Sequence, residues 1–297
     1  MASRMGTNVL IFKAHWRGTG KTSYFGRINS LQPDRSPMPD LAILSATVTA
    51  PGQVTFVGAG PGDPDHLTLR AFRALQEAEV VIHDRLVGPG VLALASPLAQ
   101  LIDVGKQGFG PSTAQADIDA LIVQQAQSGR RVVRLKGGDC GIFGRLDEEI
   151  GALERAGLSW SIVPGLTAAV VAAASIGQSL TRRGRNASVR IVTGHDMAGF
   201  AEQDWRGMAR RGAVAAIYMG KKSARFVQGR LMMHGAAADT PITIVENVSR
   251  ADECAVATTL AGLPDALSDI AGPAVLLYGL APRRAAAALV HLKEARS

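Results

Sequence analysis

The most informative segment of the chain covers residues 54–73 and reads VTFVGAGPGDPDHLTLRAFR. A run of β-branched and apolar residues, 54–57, ends at a turn with three glycines, and an amphipathic segment follows from about Leu67. This order predicts a strand, a glycine turn and a helix. Because open α/β folds bind ligands at the carboxyl ends of their strands, we expect a site at this turn.

The turn itself, GAGPGD at residues 58–63, indicates which ligand it suits. A dinucleotide fingerprint would read G-x-G-x-x-G, and here the third glycine comes too early. Pro61 lacks an amide donor and Asp63 adds a negative charge, so the turn suits a cationic or neutral ligand better than a phosphate. The alternative is a tight strand-to-helix connection that binds nothing.

Length and charge narrow the class of protein. A chain of 297 residues, 47% of them hydrophobic, can form one large domain or two ordinary ones. A net charge of +7 favours an acidic partner, such as a nucleic acid, an anionic membrane or a polycarboxylate small molecule. The basic residues are dispersed and only 5% of residues are aromatic, which argues against a nucleic-acid platform.

Hydropathy and cysteine content bear on location. No apolar stretch in the sequence is long enough to predict a transmembrane helix. The two cysteines, Cys140 and Cys254, lie far apart and outside any metal-ligand spacing. We therefore expect reduced thiols, a cytoplasmic protein and no metal site.

The pattern along the chain predicts two α/β domains after an N-terminal extension. Residues 1–50 combine a short apolar run with basic and turn-forming residues, which indicates a poorly ordered extension. We assign residues 53–165 to an N-terminal α/β domain and 166–282 to a C-terminal α/β domain. The tail, 283–297, is predicted to be an Ala-rich helix or frayed.

Three consecutive strands are predicted next, at 79–85, 100–104 and 131–135, and a further strand, at 159–163, closes the first half. A helix at 113–129 is capped by Ser112 or Thr113. The three strands end in loops rich in glycine and charge. Because the carboxyl ends of parallel strands share one edge of a sheet, these loops should form a polar rim facing a cleft. Strands of the second half are expected at residues 189–193, 213–219, 242–245 and 274–278.

An ordered set of motifs extends from about residue 53 to about residue 280. The motifs are GAGPGD at 58–63, HDRLV at 83–87, VGK at 104–106, RLKGGD with FGR between 134 and 145, VPGLTAA at 163–169, TGH at 193–195, YMG at 218–220 and VEN at 245–247. Together they resemble the tetrapyrrole methylase family, in particular its members that methylate uroporphyrinogen III.

The resemblance implies a two-domain α/β enzyme, usually a homodimer, with S-adenosylmethionine in the cleft between the domains. It also implies two methyl transfers to pyrrole carbons of uroporphyrinogen III, giving precorrin-2 through precorrin-1 for siroheme or cobalamin. A cationic sulfonium donor suits the acidic turn, and an octacarboxylate substrate suits a basic protein.

The resemblance also assigns roles to residues of this chain. Asp84 would be the proton acceptor and Lys106 the proton donor, whereas Asp84 could otherwise pair with Arg85 or cap a helix. Arg85 and Arg145 would clamp substrate carboxylates, with Glu148, Arg182 and Arg183 as weaker candidates. The cofactor positions are Pro61, Gly137, Gly138, Asp139, Ile142, Thr167, Ala168, Met219 and Val248. Taken alone, Asp139 could be a helix cap, and Met219 is more typical of a core residue.

The chain departs from the family pattern at several positions. Cys140 and Gly141 replace a proline and a phenylalanine, Leu146 and Asp147 replace glycines, Arg182 replaces a histidine, and Val248 replaces a small residue. We interpret Cys140 as a packing change rather than a redox centre. Three alternatives stay open: another precorrin or tetrapyrrole methylase, an RNA methyltransferase of the same fold, or a protein that binds cofactor or tetrapyrrole without catalysis.

Overall fold

The computed structural model describes residues 48–105, 114–197 and 199–283, together with the backbone of 292–294. Nearly all of the predicted N-terminal extension, the predicted helix caps Ser112 and Thr113, and Lys106 lie outside the described residues. Within the described ranges, no helix combines the length and apolar character that crossing a membrane requires.

The first half forms a five-stranded parallel sheet with the strand order β3-β2-β4-β1-β5. Its strands are β1 (Val54–Gly58), β2 (Val80–His83), β3 (Gln100–Asp103), β4 (Val132–Lys136) and β5 (Trp160–Val163). Its helices are α1 (Leu69–Glu77), α2 (Pro89–Leu92), α3 (Gln115–Gln127) and α4 (Leu146–Arg155). The predicted strands, the shared edge and the opening strand-turn-helix order are thus confirmed.

Both faces of this sheet are covered, which explains its nearly continuous apolar strands. Every residue of β1, β2 and β4 is buried. Alternation along β1 sends Val57 toward α1 and α2, whereas Phe56 faces α3 and α4. Two separate apolar clusters therefore hold the helices to the sheet.

The second half contains a six-stranded mixed sheet with the order β13-β11-β10-β12-β9-β6. Its strands are β6 (Arg190–Thr193), β9 (Ala215–Tyr218), β10 (Pro241–Glu246), β11 (Cys254–Thr259), β12 (Ala274–Tyr278) and β13 (Leu292–Glu294), and a small hairpin joins β7 (His195–Asp196) to β8 (Gly199–Phe200). The helices are α5 (Ala168–Ser175), α6 (Trp205–Met208), α7 (Ala224–Met233) and α8 (Leu263–Ala266). Helix α5 packs on one face of the sheet, and α6, α7 and α8 pack on the other.

Two features of this sheet differ from the sequence prediction. Strand β11, absent from the prediction, pairs antiparallel with β10. The prediction of a helical or frayed tail is wrong for residues 292–294, which form β13 parallel to β11. Backbone hydrogen bonding at an open sheet edge outweighs the local helix preference of an Ala-rich tail.

The connection between the two sheets is short. Strand β5 ends at Val163 and α5, whose N-cap is Thr167, begins at Ala168. Helix α5 packs on β12 of the second sheet. The connection therefore places the carboxyl edge of the first sheet beside the second sheet.

Candidate active site

A cavity of about 230 Å³ opens at the carboxyl ends of β1, β2 and β4. It is lined by Pro61, Asp84, Leu86, Lys136, Gly137, Gly138, Asp139, Ile142, Phe143, Gly144, Thr167, Ala168, Tyr218, Met219, Val248, Arg250, Pro273, Ala274 and Val275. All nine positions predicted to contact a cofactor are among them, and so is Asp84. Among these predicted positions, Pro61 and Val248 are the farthest apart in sequence, by 187 residues, and the fold brings them to one cavity.

Close backbone packing forms the floor of the cavity. Gly60 and Gly138 exchange two backbone hydrogen bonds, of 3.0 and 2.8 Å. A Cβ atom on Gly165 would lie 2.8 Å from the Cα of Gly58 and closer still to the carbonyl oxygen of Gly138. Only glycine allows the loops after β1, β4 and β5 to approach this closely.

Asp139 holds two of these loops together. Its Oδ1 accepts a hydrogen bond from the Gly141 N–H, and its Oδ2 accepts one from the Gly165 N–H, both of 2.9 Å. The alternative reading of Asp139 as a helix cap is therefore wrong. Its carboxylate ties the loop after β4 to the loop after β5 at the edge of the cavity.

The second sheet contributes the opposite wall through Tyr218 and Met219. The Tyr218 hydroxyl bonds to Thr167 Oγ1 and accepts a hydrogen bond from the Ala169 N–H at 2.8 Å, and burial raises the pKa of this hydroxyl. The ring of Phe143 lies 5.4 Å from the Tyr218 ring. These contacts join the β4 loop, the start of α5 and the end of β9.

Met219 is not a core residue, although its type favoured that interpretation. Its side chain is 51% exposed and lines the cavity, and its backbone is left-handed with φ of 54°. A methionine rarely adopts this conformation, which is strained for residues with a Cβ. The strained backbone accompanies a side chain placed on the cavity wall.

Asp84 belongs to a group of charged side chains that sequence reasoning missed. Its Oδ1 accepts a hydrogen bond of 2.6 Å from Arg134, which also pairs with Glu149 at 3.0 Å. Lys136 donates to both oxygens of Glu149 at 2.8 Å. The pairing partner is thus Arg134, not the Arg85 or helix cap considered from sequence.

Three of these four charged side chains are buried where β4 and α4 pack together. Arg134, Lys136 and Glu149 are each at most 3% exposed. Burial, followed by the nearby Arg134, lowers the pKa of Lys136, and the Glu149 carboxylate opposes that shift. The available signal was the pattern Val-Val-Arg-Leu-Lys, which places two cations in a strand that is covered on both faces.

The predicted substrate-binding residues lie outside the cavity lining, among the residues that the structure describes. Arg145 donates to both carboxylate oxygens of Glu148, at 2.8 and 2.6 Å, and both side chains are about half exposed. This pairing raises the pKa of Arg145 and lowers that of Glu148. Arg85 lies close to Gly105, two residues after β3, where an added Cβ would overlap the Cβ of Arg85.

A polar clasp joins the first glycine turn to the loop after β10. The Ser249 hydroxyl accepts a hydrogen bond of 2.8 Å from the Asp63 N–H and lies 2.8 Å from Nδ1 of His66. Arg250 donates to the carbonyl oxygen of Leu86 at 2.8 Å. Sequence reasoning missed this clasp because its partners are more than 160 residues apart.

Two residues that depart from the family pattern, Cys140 and Val248, are buried and packed against their neighbours. Cys140 is 1% exposed in the apolar cluster beneath the sheet, and burial raises the pKa of its thiol to about 11. Val248 is 6% exposed, packs with α5 and β12, and still reaches the cavity. A buried thiol with a raised pKa has little reactivity, as a packing change requires.

Comparisons with known proteins agree with this geometry. The family model for tetrapyrrole (corrin/porphyrin) methylases matches residues 53–264. Siroheme synthase 1 of Yersinia enterocolitica is 45% identical over 228 residues, which are 77% of this chain and 48% of that protein. The chain thus spans about half the length of the curated relatives it matches.

Two solved structures extend the comparison. Uroporphyrin-III C-methyl transferase from Thermus thermophilus, complexed with S-adenyl homocysteine, is 36% identical with a TM-score of 0.67, over 76% of this chain and 97% of that one. A cobalt precorrin-4 methyltransferase is 27% identical with a TM-score of 0.69, over 77% and 95% of the two chains. Because the family model matches most of the chain and the Thermus structure is covered almost from end to end, the chain belongs to the tetrapyrrole (corrin/porphyrin) methylase family.

Proposed function

We propose that this protein methylates uroporphyrinogen III at two pyrrole carbons with S-adenosylmethionine, giving precorrin-2 through precorrin-1 for siroheme or cobalamin. The observation that carries the proposal is the single cavity in which Asp84 lies with all nine expected cofactor positions. The similarity to a uroporphyrin-III C-methyl transferase, which extends over 97% of that chain, supports the same reaction.

The cavity residues fit S-adenosylmethionine. The cavity walls combine apolar side chains with the carboxylates of Asp84 and Asp139, which suit a cationic ligand without phosphate. A Cβ atom on Gly137 would lie 2.9 Å from the Cβ of Leu86, so a side chain there would push against a residue that lines the cavity. When bound, the cofactor supplies a methyl group on a positively charged sulfur.

The chain's own residues would align the substrate and manage one proton. Carbon methylation leaves the macrocycle with a proton to lose, and the Asp84 carboxylate at the cavity wall can accept it. Lys106, the proposed proton donor, belongs to the undescribed segment after β3. Positioning of the two reactants in one closed site supplies much of the remaining acceleration.

Substrate carboxylates would be held by Arg145 and Arg85, with Glu148 holding Arg145 until a substrate carboxylate replaces it. The Arg145–Glu148 pair is about half exposed, so exchanging Glu148 for a substrate carboxylate costs little. Planar guanidinium groups bind carboxylates through two hydrogen bonds, which suits an octacarboxylate.

The test is an anaerobic assay with uroporphyrinogen III and S-adenosylmethionine, read by product mass. We expect a dimethylated product, and we expect Asp84→Asn to lower kcat by about 10²- to 10⁴-fold, the usual contribution of a general base. Cofactor affinity, measured by calorimetry, should fall by no more than about tenfold, because the side chain keeps its size while one of the two wall carboxylates loses its charge.

The matched control is Asp239→Asn, which changes an exposed carboxylate outside the cavity lining and should leave kcat unchanged. Cofactor binding without any methylated product would contradict the proposal and favour a binding protein. A product formed only from a later precorrin would favour the precorrin methylase alternative.

We further propose that the protein acts as a homodimer in the cytoplasm, as its family resemblance implies. Exposed apolar side chains near the cavity, at Phe143, Leu166 and Val170, support a dimer because such surface is usually covered by a partner. Sedimentation of the purified protein measures the assembly state.

A further inference from the structure

The carboxylate of Asp84 is held by a side chain with no assigned role. Arg134 lies in the middle of β4, 50 residues away in sequence, and its NH2 group donates to Asp84 Oδ1 at 2.6 Å. Arg134 is 2% exposed, whereas the Asp84 side chain is 34% exposed and lines the cavity. The contact therefore runs from inside the sheet to the cavity wall.

The guanidinium is itself fixed from several directions. Its Nε donates to Glu149 Oε1 at 3.1 Å, and its NH1 lies 3.4 and 3.3 Å from the carbonyl oxygens of Ile82 and Leu135. These contacts occupy the other edges of a planar group and leave NH2 directed at Asp84. A carboxylate bonded to such a fixed donor keeps one orientation.

Lys136 completes the group. It donates to both oxygens of Glu149 at 2.8 Å, so two buried cations, Arg134 and Lys136, face the two carboxylates of Glu149 and Asp84. The four formal charges cancel, which a buried cluster requires. Removing Arg134 would still leave Glu149 paired with Lys136.

A cluster of buried charges is an unfavourable way to stabilise a fold if it has no other role. Burying an ion removes its hydration, which opposes folding, and well-packed apolar residues often stabilise a core as well or better. The neighbouring strand β1 of the same sheet contains only Val, Thr, Phe and Gly, and carries no charged residue. The cluster also ends at Asp84, whose carboxylate lines the cavity, and this links the position of the cluster to the chemistry there.

We propose that Arg134, oriented by Glu149, is a positioning residue that holds the Asp84 carboxylate in the geometry for proton acceptance. The inference rests on the proposed function and extends it to a residue that does not contact the substrate. Lys136 balances the charge of Glu149 and allows the pair to stay buried.

The test is a double-substitution cycle with Arg134→Gln and Asp84→Asn. In the wild-type background, Arg134→Gln should lower kcat by about tenfold to a hundredfold, because a small misplacement of a catalytic group costs that much. In the Asp84→Asn background, the same change should lower kcat less than about twofold, because Arg134 acts through Asp84. Within each Asp84 background, Arg134→Gln should change cofactor affinity less than about threefold.

Arg134→Lys provides the second variant, since it keeps the charge and retains the fold if Arg134→Gln does not. A lysine ammonium lacks the planar fork with which the guanidinium binds Glu149 and Asp84 together, so we expect Arg134→Lys to lower kcat in part. In the Asp84→Asn background, the same change should again have little effect on kcat. Equal losses in both backgrounds, or a loss confined to cofactor affinity, would overturn the positioning role alone. A wild-type enzyme that forms no methylated product would instead overturn the proposed function.

Discussion

At Met219, backbone strain and a position on the cavity wall coincide in a single residue. Its φ of 54° is unfavourable for a side chain with a Cβ, and the conformation places the thioether chain on the cavity wall. Strain of this kind costs on the order of 1 to 3 kcal/mol and persists where the surrounding structure requires it. The conformation therefore lowers the stability of the protein while it places an apolar side chain on the cavity wall.

Substitutions at Met219 should reverse the usual order of stability, in which an alanine variant is more stable than a glycine variant. We expect Met219→Gly to be more stable than Met219→Ala by about 1 kcal/mol, because glycine accepts positive φ without strain. Both should bind S-adenosylmethionine more weakly, since both lose the apolar wall. Urea unfolding and calorimetry measure the two effects.

The control for this prediction is Met232, which lies in α7 and is 44% exposed. There the alanine variant should be the more stable one by about 1 kcal/mol, as in any helix. Finding alanine ahead of glycine at Met219 as well would show that the left-handed backbone is not a source of strain.

At the scale of elements, the site depends on how closely the ends of β1, β4 and β5 approach. Gly58, Gly138 and Gly165 bring the three loops into van der Waals contact, and Asp139 bonds to the last of them. Wider separation would move the glycine turn and the β4 loop apart. The parallel sheet places these ends at one edge, and the glycines set their distance.

Gly165→Ala should therefore destabilise the protein by about 2 to 3 kcal/mol, because its methyl group would overlap the backbone of Gly58 and Gly138. Cofactor affinity should fall with it, since the same loops line the cavity. Urea unfolding gives the first quantity and calorimetry the second.

Gly229 offers a matched control in the exposed surface of α7, where an added Cβ would have no atom within 4 Å. Gly229→Ala should raise the free energy of unfolding by about 0.5 to 1 kcal/mol through its better helix propensity. A Gly165→Ala protein as stable as the wild type would refute the close approach.

For the whole molecule, the clasp at Ser249 links the two sheets across the cavity. Ser249 has a left-handed φ of 65° and accepts the bond from Asp63, while the adjacent Val248 lines the cavity. The clasp therefore holds the loop after β10 against the first glycine turn. Its strength should set how firmly the cavity is closed.

Ser249→Ala and Ser249→Gly should separate bonding from strain. Both lose the hydroxyl, so both should weaken cofactor affinity by a similar factor, about three- to tenfold for a hydrogen bond of about 1 kcal/mol. The alanine variant should be the less stable of the two, because it keeps the unfavourable φ. Calorimetry and urea unfolding distinguish these effects.

Ser268→Ala is the matched control, because that hydroxyl bonds within its own helical turn, to the Asp265 carbonyl oxygen. Its cofactor affinity should not change. If Ser249→Ala bound cofactor as tightly as Ser268→Ala, the clasp would not contribute to the cavity.

Local sequence predicted much of the first sheet, and the family resemblance named about half of the cavity lining. Alternating or continuous apolar runs closed by glycine turns produced the strands of the parallel sheet, and their shared edge followed from its topology. The resemblance carried by ordered motifs then named nine cavity positions that the fold brings together. Those motifs can be recognised in the sequence because each one occupies a few consecutive residues.

The remaining features depend on tertiary structure. Strands β11 and β13 exist because neighbouring edges supply their backbone hydrogen bonds, and weak local propensity gave no warning of this pairing. The Asp84–Arg134 contact joins residues 50 apart, and the clasp between Asp63 and Ser249 joins residues 186 apart. Side-chain pairing of this kind is decided by which strand lies beside which, and that is a property of the folded chain as a whole.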